Sequence, residues 1–413
     1  MVNIQQVQKL DWWVGIPLTA MLTGIRWIGG VLSNRARAPR HICFLELSEM
    51  GSLVLGYSAY VQTKQKFEDS SIFFLTFHKN KEIIDLMGIT DSRNIFTIED
   101  SNLWTVLRDS VSVLIHMRKN HIDTVIDMEL FSRFSTLISY LSGAANRVGF
   151  FQYTSEGLYR GRLLTHEVLY NPHQHMSLNI LSLVYSLNVT EGSPLYKGSL
   201  KDKVLPPATL GLATTNNTAT ATTIIRRAAP EFPQKSRYIV INADPGLMLP
   251  IRGWPPAYFA LLVKKLLKGD RDLYVVLVGL PSATRLNQEI AGEYVDPRCI
   301  NLTGQTTSLR ELLTVIAAAS VLVTNDSGPA HFATLVDTPQ VVFFGPETPS
   351  LYGPLGGKTR ALFAKYSCSP CLSAFNHRGV FCDDNKCLQA ISVETAYLAV
   401  MNMSQDSQPN ASG

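Results

Sequence analysis

The stretch VLVTNDSGPAHFATLVDTPQVVFFGP, residues 321–346, decides the fold of this chain, because a buried strand in it turns directly into a helix. The segment Val321-Leu322-Val323 is apolar and rich in β-branched residues, which is typical of a strand buried on both faces. Gly328 and Pro329 then predict the start of a helix, with Gly328 as the N-cap, because proline suits the first helical position. The stretch therefore predicts a strand–turn–helix unit of an α/β fold.

The turn between this strand and this helix has the properties of an anion site. Unpaired backbone N–H groups and the positive end of the helix dipole meet at a helix start, and both favour a phosphate or diphosphate. His331 falls in the first turn of the helix and can add a further donor. Asp326 does not suit an anion, but its carboxylate can accept hydrogen bonds from sugar hydroxyls. The turn therefore predicts a site for a sugar attached to a diphosphate; a capped turn with a buried histidine is the alternative.

Strand and helix patterns alternate on both sides of a Thr-, Ala- and Pro-rich stretch at 206–235. Such alternation predicts right-handed βαβ units and parallel sheets. We therefore predict two doubly wound, Rossmann-like domains facing a central cleft, at 41–205 and 236–403, joined by a linker at 206–235. Ligands in such sheets bind beyond the carboxyl ends of the strands, where the Asp326 turn lies. The polar tail at 404–413 is predicted to be disordered.

The N-terminal segment carries the surplus positive charge of the chain. Lysine and arginine number 37 against 33 aspartates and glutamates, a net charge of +4, and residues 1–40 hold five of these cations and one carboxylate. The remainder is therefore neutral overall, which argues against a nucleic-acid-binding protein.

Residues 12–32 are apolar but are interrupted by glycines, a proline and an arginine, so they predict a poor membrane-spanning helix. Trp12, Trp13 and Trp27 are typical of the lipid headgroup region, and the arginines that follow suit anionic lipids. We therefore predict an amphipathic, membrane-associating segment at 1–40. A helix packed on the protein's own body is one alternative, and a signal or spanning segment is another.

Several segments together resemble glycosyltransferase family 9, the lipopolysaccharide heptosyltransferases. The stretch NDSGPAHFATLVDTPQVVFFGPETPSLYGP is similar to the family's D-[ST]-G-x-x-H and G-P-[ST] segments. The segment NADPG at 242–246, followed by RGWP at 252–255, resembles the family's N-P-G-A and K-x-W-P segments, with Arg252 in place of lysine. LTGQTTSL at 302–309 resembles a further turn of the family. The resemblance covers residues 41 to 400 and is most specific in the second half.

This resemblance implies a GT-B fold, with an N-terminal acceptor domain, a C-terminal donor domain and a last helix that returns to the first domain. It also implies inverting transfer, without any required cofactor, from a nucleotide-diphosphate sugar such as ADP-heptose to a lipid-linked saccharide of the lipopolysaccharide core. Asp326 would bind sugar hydroxyls. The residues implied to hold the donor are Asn242, Arg252, Ser327, Gly328, His331 and Gly345. Such an enzyme would be cytoplasmic and peripherally associated with the inner membrane.

The loop after the first strand departs from the family pattern. The family's G-[GE]-x-G-D loop ends in an aspartate that is the proposed general base, whereas this chain has Ser52 there. Serine cannot deprotonate an acceptor hydroxyl unaided, so Glu49, three residues earlier, is the candidate base. Two alternatives stay open. One is a nucleotide-sugar-binding or scaffold protein that has lost the base, and the other is a sugar-nucleotide epimerase of similar fold.

Four of the six cysteines are clustered as Cys368-x2-Cys371-x10-Cys382-x4-Cys387. The paired spacing is compatible with a tetrahedral, structural zinc site. Two disulfides or four free thiols are the alternatives. The remaining cysteines, Cys43 and Cys299, lie in or beside apolar strands and are predicted to be small core residues.

Overall fold

A computed structural model describes residues 11–29, 38–151, 159–187, 198–212, 215–234, 236–246, 249–292, 296–356, 358–376, 379 and 382–405. The chain forms two compact units, Met1–Leu205 and Pro206–Gly413. The predicted disordered tail lies mostly outside the described residues, as do the arginines at 35 and 37 of the N-terminal segment.

The first unit contains a six-stranded sheet in the order β3-β2-β1-β4-β5-β6, with every neighbouring pair parallel. Its strands are β1 (His41–Leu45), β2 (Ser71–Phe77), β3 (Ile95–Ile98), β4 (Thr124–Asp127), β5 (Asn146–Phe150) and β6 (His166–Val168). Its helices are α1 (Ile16–Gly29), α2 (Met50–Leu55), α3 (Tyr57–Lys66), α4 (Lys81–Met87), α5 (Leu103–Lys119), α6 (Arg133–Leu141) and α7 (Met176–Ser186). Apolar residues of β1 to β4 are buried against Val113 and Met117 of α5 and Ile138 of α6.

The second unit repeats this topology in the strand order β12-β11-β10-β7-β8-β9, again with parallel neighbours. Its strands are β7 (Arg237–Asn242), β8 (Leu273–Val278), β9 (Cys299–Asn301), β10 (Val321–Asn325), β11 (Gln340–Phe344) and β12 (Thr359–Phe363). Its helices are α8 (Thr215–Ile225), α9 (Pro256–Gly269), α10 (Thr284–Gly292), α11 (Leu309–Ala317), α12 (Gly328–Leu335), α13 (Pro349–Tyr352), α14 (Lys386–Gln389) and α15 (Val393–Gln405). Val321 and Val323 are fully buried in the core of this unit, as the sequence predicts.

The stretch predicted as a linker at 206–235 is instead part of the second unit. It contains α8, which packs against α11 and buries Ala221, Ile224 and Ile225. The Leu210 N–H also donates to the Leu335 carbonyl over 2.7 Å. Threonine and alanine supply little hydrophobic periodicity, so three buried apolar side chains were too weak a signal for a helix.

The last helix packs within the second unit, and its predicted return to the first domain stays a prediction. Helix α15 packs against α9 and against β10, β11 and β12, so its described residues belong to the second unit's own core. Ala396 and Val400, one turn apart, are fully buried in this contact.

The N-terminal helix α1 packs on the first unit while exposing large apolar side chains. Arg26 donates to the Leu164 carbonyl over 2.8 Å, and the Thr23 hydroxyl accepts from the Arg162 N–H over 2.9 Å. Trp13 and Trp27 nevertheless remain 75% and 85% exposed. Among the described residues, no helix combines the length and apolar content needed to span a bilayer.

Candidate functional site

The predicted donor residues meet where the strand order of the second sheet reverses. Strands β7 and β10 are neighbours there, with Asn242 paired to Thr324. The chain after β7 crosses to β8 on one side of this place, and the chain after β10 crosses to β11 on the other side. The two connections diverge and leave a crevice beyond the carboxyl ends of β7 and β10. Asn242 and Asp326 therefore lie at the position where doubly wound sheets bind ligands.

Asn325 fixes the loops that surround this crevice. Its side-chain oxygen accepts from the Trp254 N–H over 2.9 Å, and its amide donates to the Ala243 carbonyl over 2.8 Å. The loop after β7 and the segment entering α9 are thus both attached to the end of β10. This attachment brings Arg252 beside Asp326.

Arg252 and Asp326 form a buried ion pair. Nη1 of Arg252 lies 3.3 Å from Oδ2 of Asp326, and the two side chains are only 19% and 5% exposed. Burial raises the pKa of the Asp326 carboxyl, while the Arg252 guanidinium acts in the opposite direction. The sequence predicts that Arg252 binds a phosphate. In the described residues Arg252 pairs with Asp326, the carboxylate that is predicted to bind sugar hydroxyls.

Helix α12 begins one residue earlier than the sequence predicts. Ser327 is the N-cap and Gly328 the first helical residue, so the prediction of Gly328 as N-cap was wrong by one position. The Ser327 hydroxyl makes no capping hydrogen bond and instead donates to the Asn325 carbonyl over 3.2 Å. The hydroxyl therefore does not cap the start of α12, where Pro329 has no N–H and the Ala330 N–H donates to the Ser327 carbonyl over 3.1 Å. His331 is buried in the first turn, as predicted.

Glu347 is a member of this site that the sequence analysis missed. It follows β11, the strand next to β10, and is 4% exposed. Burial raises the pKa of its carboxyl well above the usual value; the nearby Asp326 raises the pKa further and Arg252 lowers it. The sequence contained a signal for this residue. Strands β10 and β11 are parallel neighbours, so a carboxylate just beyond β11 lies at the same edge of the sheet as Asp326.

Three buried polar atoms in this cluster have no hydrogen-bond partner among the described residues: Asn242 Oδ1, Arg252 Nε and Glu347 Oε1. Buried polar groups in proteins are nearly always paired, because an unpaired one costs about 1 to 3 kcal/mol. These three atoms lie near the place where the strand order of the second sheet reverses. This is the arrangement expected of a site that binds a polar ligand.

The cysteine-containing segment supports the donor loops. The Asn385 amide donates to the carbonyls of Ile251 and Gly253 over 2.9 and 2.7 Å, on both sides of Arg252. The N–H groups of Cys371 and Leu372 donate to the Pro346 carbonyl over 2.9 and 3.0 Å, next to Glu347. This segment therefore holds the backbone beside two of the charged groups in the site.

Gly345 has a packing reason for lacking a side chain. A Cβ at this position would lie 2.6 Å from Cγ of Leu388 and 2.9 Å from Sγ of Cys387. Close approach of α14 therefore explains the glycine without reference to a ligand.

The six cysteines, all within the described residues, form no disulfide in the structure. Burial raises the thiol pKa of Cys371 and of Cys387, and the neighbouring thiols, Cys368 among them, raise both further. Within the described part of the chain, no group of three or more histidine, cysteine or acidic side chains is placed to hold a metal ion. The structural zinc site therefore stays a sequence prediction.

In the first unit, the structure brings Glu49 and Ser52 into direct contact. Glu49 is the N-cap residue of α2, and the Ser52 hydroxyl donates to its Oε2 over 2.8 Å. The Glu49 N–H donates to the Glu46 carboxylate over 3.1 Å. Oε1 of Glu129 accepts from the Ser48 N–H over 3.0 Å, which anchors the start of the same loop. Sequence reasoning found Glu49 and Ser52 but not Glu46 and Glu129, which support them.

Comparison with solved structures agrees with this architecture. The chain superimposes on Escherichia coli ADP-heptose lipopolysaccharide heptosyltransferase II with a TM-score of 0.69 and 18% identity, over 89% of this chain and 100% of that one. It superimposes on a family 9 glycosyltransferase from Veillonella parvula with a TM-score of 0.68 and 17% identity, over 91% and 100%. The predicted GT-B fold of two doubly wound domains is confirmed.

Sequence comparison finds curated relatives. Lipopolysaccharide heptosyltransferase 2 of Salmonella typhimurium is 33% identical over 136 residues, 32% of this chain and 38% of the relative. Lipopolysaccharide heptosyltransferase 1 of Pseudomonas aeruginosa is 29% identical over 119 residues, 29% of this chain and 32% of the relative. These matches span less than two fifths of each relative.

The model of glycosyltransferase family 9 (heptosyltransferase) matches residues 112–379, well over half of the chain. The chain therefore belongs to glycosyltransferase family 9.

Proposed function

We propose that this protein is an inverting glycosyltransferase that moves heptose or a related sugar from a nucleotide diphosphate onto a lipid-linked saccharide such as the lipopolysaccharide core. ADP-heptose is the proposed donor. The observation that carries the proposal is the ion pair of Arg252 with the buried Asp326, beside a helix start without a side-chain cap, where the strand order of a family 9 fold reverses.

In this proposal, the donor diphosphate lies at the start of α12. Backbone N–H groups and the helix dipole stabilise its charge there, and His331 adds a donor. Arg252 provides a guanidinium for the same diphosphate, and this cation stabilises the charge that develops on the leaving group without a metal ion. Asp326 accepts hydrogen bonds from hydroxyls of the sugar.

Glu49 is the proposed general base. An inverting displacement needs a group that takes the proton from the acceptor hydroxyl, and Ser52 has no basic atom for this step. The Ser52 hydroxyl instead donates to the Glu49 carboxylate. Such a hydrogen bond fixes the orientation of the carboxylate. Ser52 is therefore a positioning residue in this proposal and Glu49 the catalytic one.

We further propose peripheral association with the inner membrane through one face of the first unit. Helices α1 and α5 both contact α6. Helix α1 exposes Trp27, the helical turn Asp11–Gly15 before it exposes Trp13, and α5 exposes Trp104 and Leu107. Exposed tryptophans are typical of the headgroup region, and such a face would hold the enzyme near an amphiphilic acceptor.

A nucleotide-sugar-binding protein without transferase activity is the second candidate. The observation that favours it is Ser52, which stands where the resembled family has its aspartate. This candidate predicts donor binding without acceptor-dependent release of nucleotide.

The test of the proposed function is ADP release from ADP-heptose by the purified protein, with and without a heptose-deficient lipopolysaccharide acceptor. We expect acceptor-dependent release and a matching mass increase of the acceptor. Asp326→Asn removes the charge but little volume and should lower kcat/KM about tenfold to a hundredfold, the effect of a lost hydrogen bond to a charged group. Asp337→Asn is the control, because Asp337 pairs with Lys358 on the exposed surface of the same unit. Unchanged turnover in Asp326→Asn would exclude Asp326 from the site.

A further inference from the structure

Glu347 is a buried carboxyl that the mechanism above does not use. It lies in the donor site, yet its ionised form would repel a diphosphate and its protonated form offers only one donor to it. We propose that Glu347 binds the transferred sugar together with Asp326, so that two carboxyl groups recognise its hydroxyls and Glu347 is a specificity-determining residue of the donor site. This inference rests on the proposed function.

The sheet register brings the two carboxyl groups together. Asn325 of β10 is paired with Phe343 of β11, and the Asp326 N–H donates to the Phe343 carbonyl over 3.0 Å. Glu347 follows Phe343 by four residues and leaves the same edge of the sheet. The carboxyl is close enough to Asp326 and Arg252 for both charges to affect its pKa.

The loop that carries Glu347 is held on both sides. On one side, the Pro346 carbonyl accepts two hydrogen bonds from the cysteine-containing segment. On the other, the Thr348 hydroxyl caps α13 by accepting from the Ser350 N–H over 3.3 Å. The position of Glu347 is therefore imposed by its neighbours, and a site built on it would be preorganised.

A role confined to stabilising the fold does not explain this arrangement. The Thr348 backbone N–H interacts with the Glu347 carboxyl, but among the described residues Oε1 of Glu347 has no hydrogen-bond partner, and a buried polar atom without a partner destabilises a fold. A sugar hydroxyl would supply the missing partner.

The two carboxyl groups suit complementary hydrogen bonds. The raised pKa of Glu347 favours its protonated form, which can donate to one sugar oxygen and accept from another. Asp326 has Arg252 beside it to stabilise its ionised form, which only accepts. The pair can thus recognise neighbouring hydroxyls of one sugar while Arg252 faces the diphosphate.

The test compares the affinities of ADP-heptose and of ADP, measured by calorimetry, in wild type, Glu347→Ala and Glu347→Gln. We expect Glu347→Ala to weaken ADP-heptose binding about fivefold to a hundredfold, because the sugar loses a buried partner, and to change ADP affinity by less than about twofold. Glu347→Gln retains a donor and an acceptor and should lose less. Glu289→Gln is the matched control, because Glu289 is exposed on α10 of the same unit.

The outcomes separate this inference from the proposed function. Equal losses of ADP-heptose and ADP affinity in Glu347→Ala, or no loss of either, would overturn the role of Glu347 while leaving a working nucleotide site. A wild-type protein that binds neither ligand would overturn the proposed function and this inference with it. If Glu347→Ala does not fold, Glu347→Met decides, because methionine keeps most of the side-chain volume but no hydrogen-bond donor; unchanged ADP-heptose affinity and an unchanged preference over ADP-glucose would then contradict sugar recognition.

Discussion

At the scale of single residues, the unusual feature is two acidic side chains and one arginine buried together. Asp326 and Glu347 face Arg252, so the cluster contains one more carboxyl than cations. Burial of both carboxyls without full pairing costs stability, and proteins tolerate such groups mainly where function needs them. The cluster therefore links the stability of the second unit to pH.

The raised pKa of Glu347 fixes the sign of this pH dependence. The folded state binds a proton on Glu347 more strongly than the unfolded state, whose carboxyl has the ordinary pKa near 4.5. Glu347 therefore makes its full contribution to the stability of the fold below its unfolded-state pKa. This contribution is lost as the pH rises through the pKa of Glu347 in the folded state. Glu347→Gln removes the titration.

We accordingly expect the melting temperature of Glu347→Gln, relative to wild type, to rise between about pH 5 and about pH 8. Thermal unfolding at both pH values measures this difference, with Glu289→Gln as the control. A constant offset between variant and wild type at the two pH values would show that Glu347 is not held with a raised pKa.

The sequence predicted part of this cluster. Asp326 and His331 follow an apolar strand in a pattern that indicates a ligand-binding turn, so both were found from local sequence. Glu347 was not, because its burial depends on contacts made by Cys371 and Leu372, more than twenty residues later. The closeness of Arg252 and Asp326 depends likewise on the side chain of Asn325 and cannot be read from either segment alone.

At the scale of secondary-structure elements, the segment around α14 acts as a support for the donor loops. Asn385 is its main contact with the turn that carries Arg252, since its amide donates to two carbonyls there. Without these hydrogen bonds, the turn would sample more conformations and Arg252 would reach the diphosphate less often.

Asn385→Ala should therefore raise the KM for ADP-heptose about threefold to tenfold, the effect of one ordinary hydrogen bond, with a smaller change in kcat. Steady-state kinetics at saturating acceptor measure the two constants. Asn402→Ala on the exposed side of α15 serves as the control. A KM equal to that of wild type would show that the turn holds its position without Asn385.

The longer apolar strands can be recognised from the sequence, whereas the three-residue edge strands β6 and β9 cannot. Strands β1, β2, β7, β8, β10 and β11 have enough apolar residues to be recognised, and the structure contains all of them. Strands β6 and β9 have three residues each, too few to show any periodicity. Such strands form because the neighbouring strand already presents a hydrogen-bonding edge, which is information from tertiary structure.

At the scale of the whole molecule, the N-terminal helix combines two of the predicted alternatives. It packs on the first unit, yet much of its apolar surface remains exposed. Packing explains one glycine of this segment: Gly15, just before α1, lies so close to Arg133 that a Cβ there would be 2.9 Å from the Arg133 side chain. We propose that the exposed apolar face of this helix binds the membrane surface.

Replacing Trp13 and Trp27 by serine should weaken binding to anionic vesicles, because these two side chains are exposed and make the apolar part of the proposed contact. Vesicle flotation at low and high salt measures the binding, and salt should weaken binding of the intact chain as well. Leu280→Ser is the control, since Leu280 is an exposed apolar residue of the second unit. Equal flotation of the double variant and wild type would exclude α1 from membrane contact.

The central claim is that this chain transfers a sugar with Glu49 as its base, and the kcat of Glu49→Gln at saturating ADP-heptose and acceptor tests it most directly. Glutamine keeps the size of the side chain and can still accept from the Ser52 hydroxyl, but it cannot take a proton. We predict a fall in kcat of about a hundredfold to ten-thousandfold, with ADP-heptose affinity nearly unchanged and part of the rate restored by Ser52→Asp in the same background. An unaltered kcat in Glu49→Gln, or no acceptor-dependent turnover by the wild-type protein, would contradict the claim.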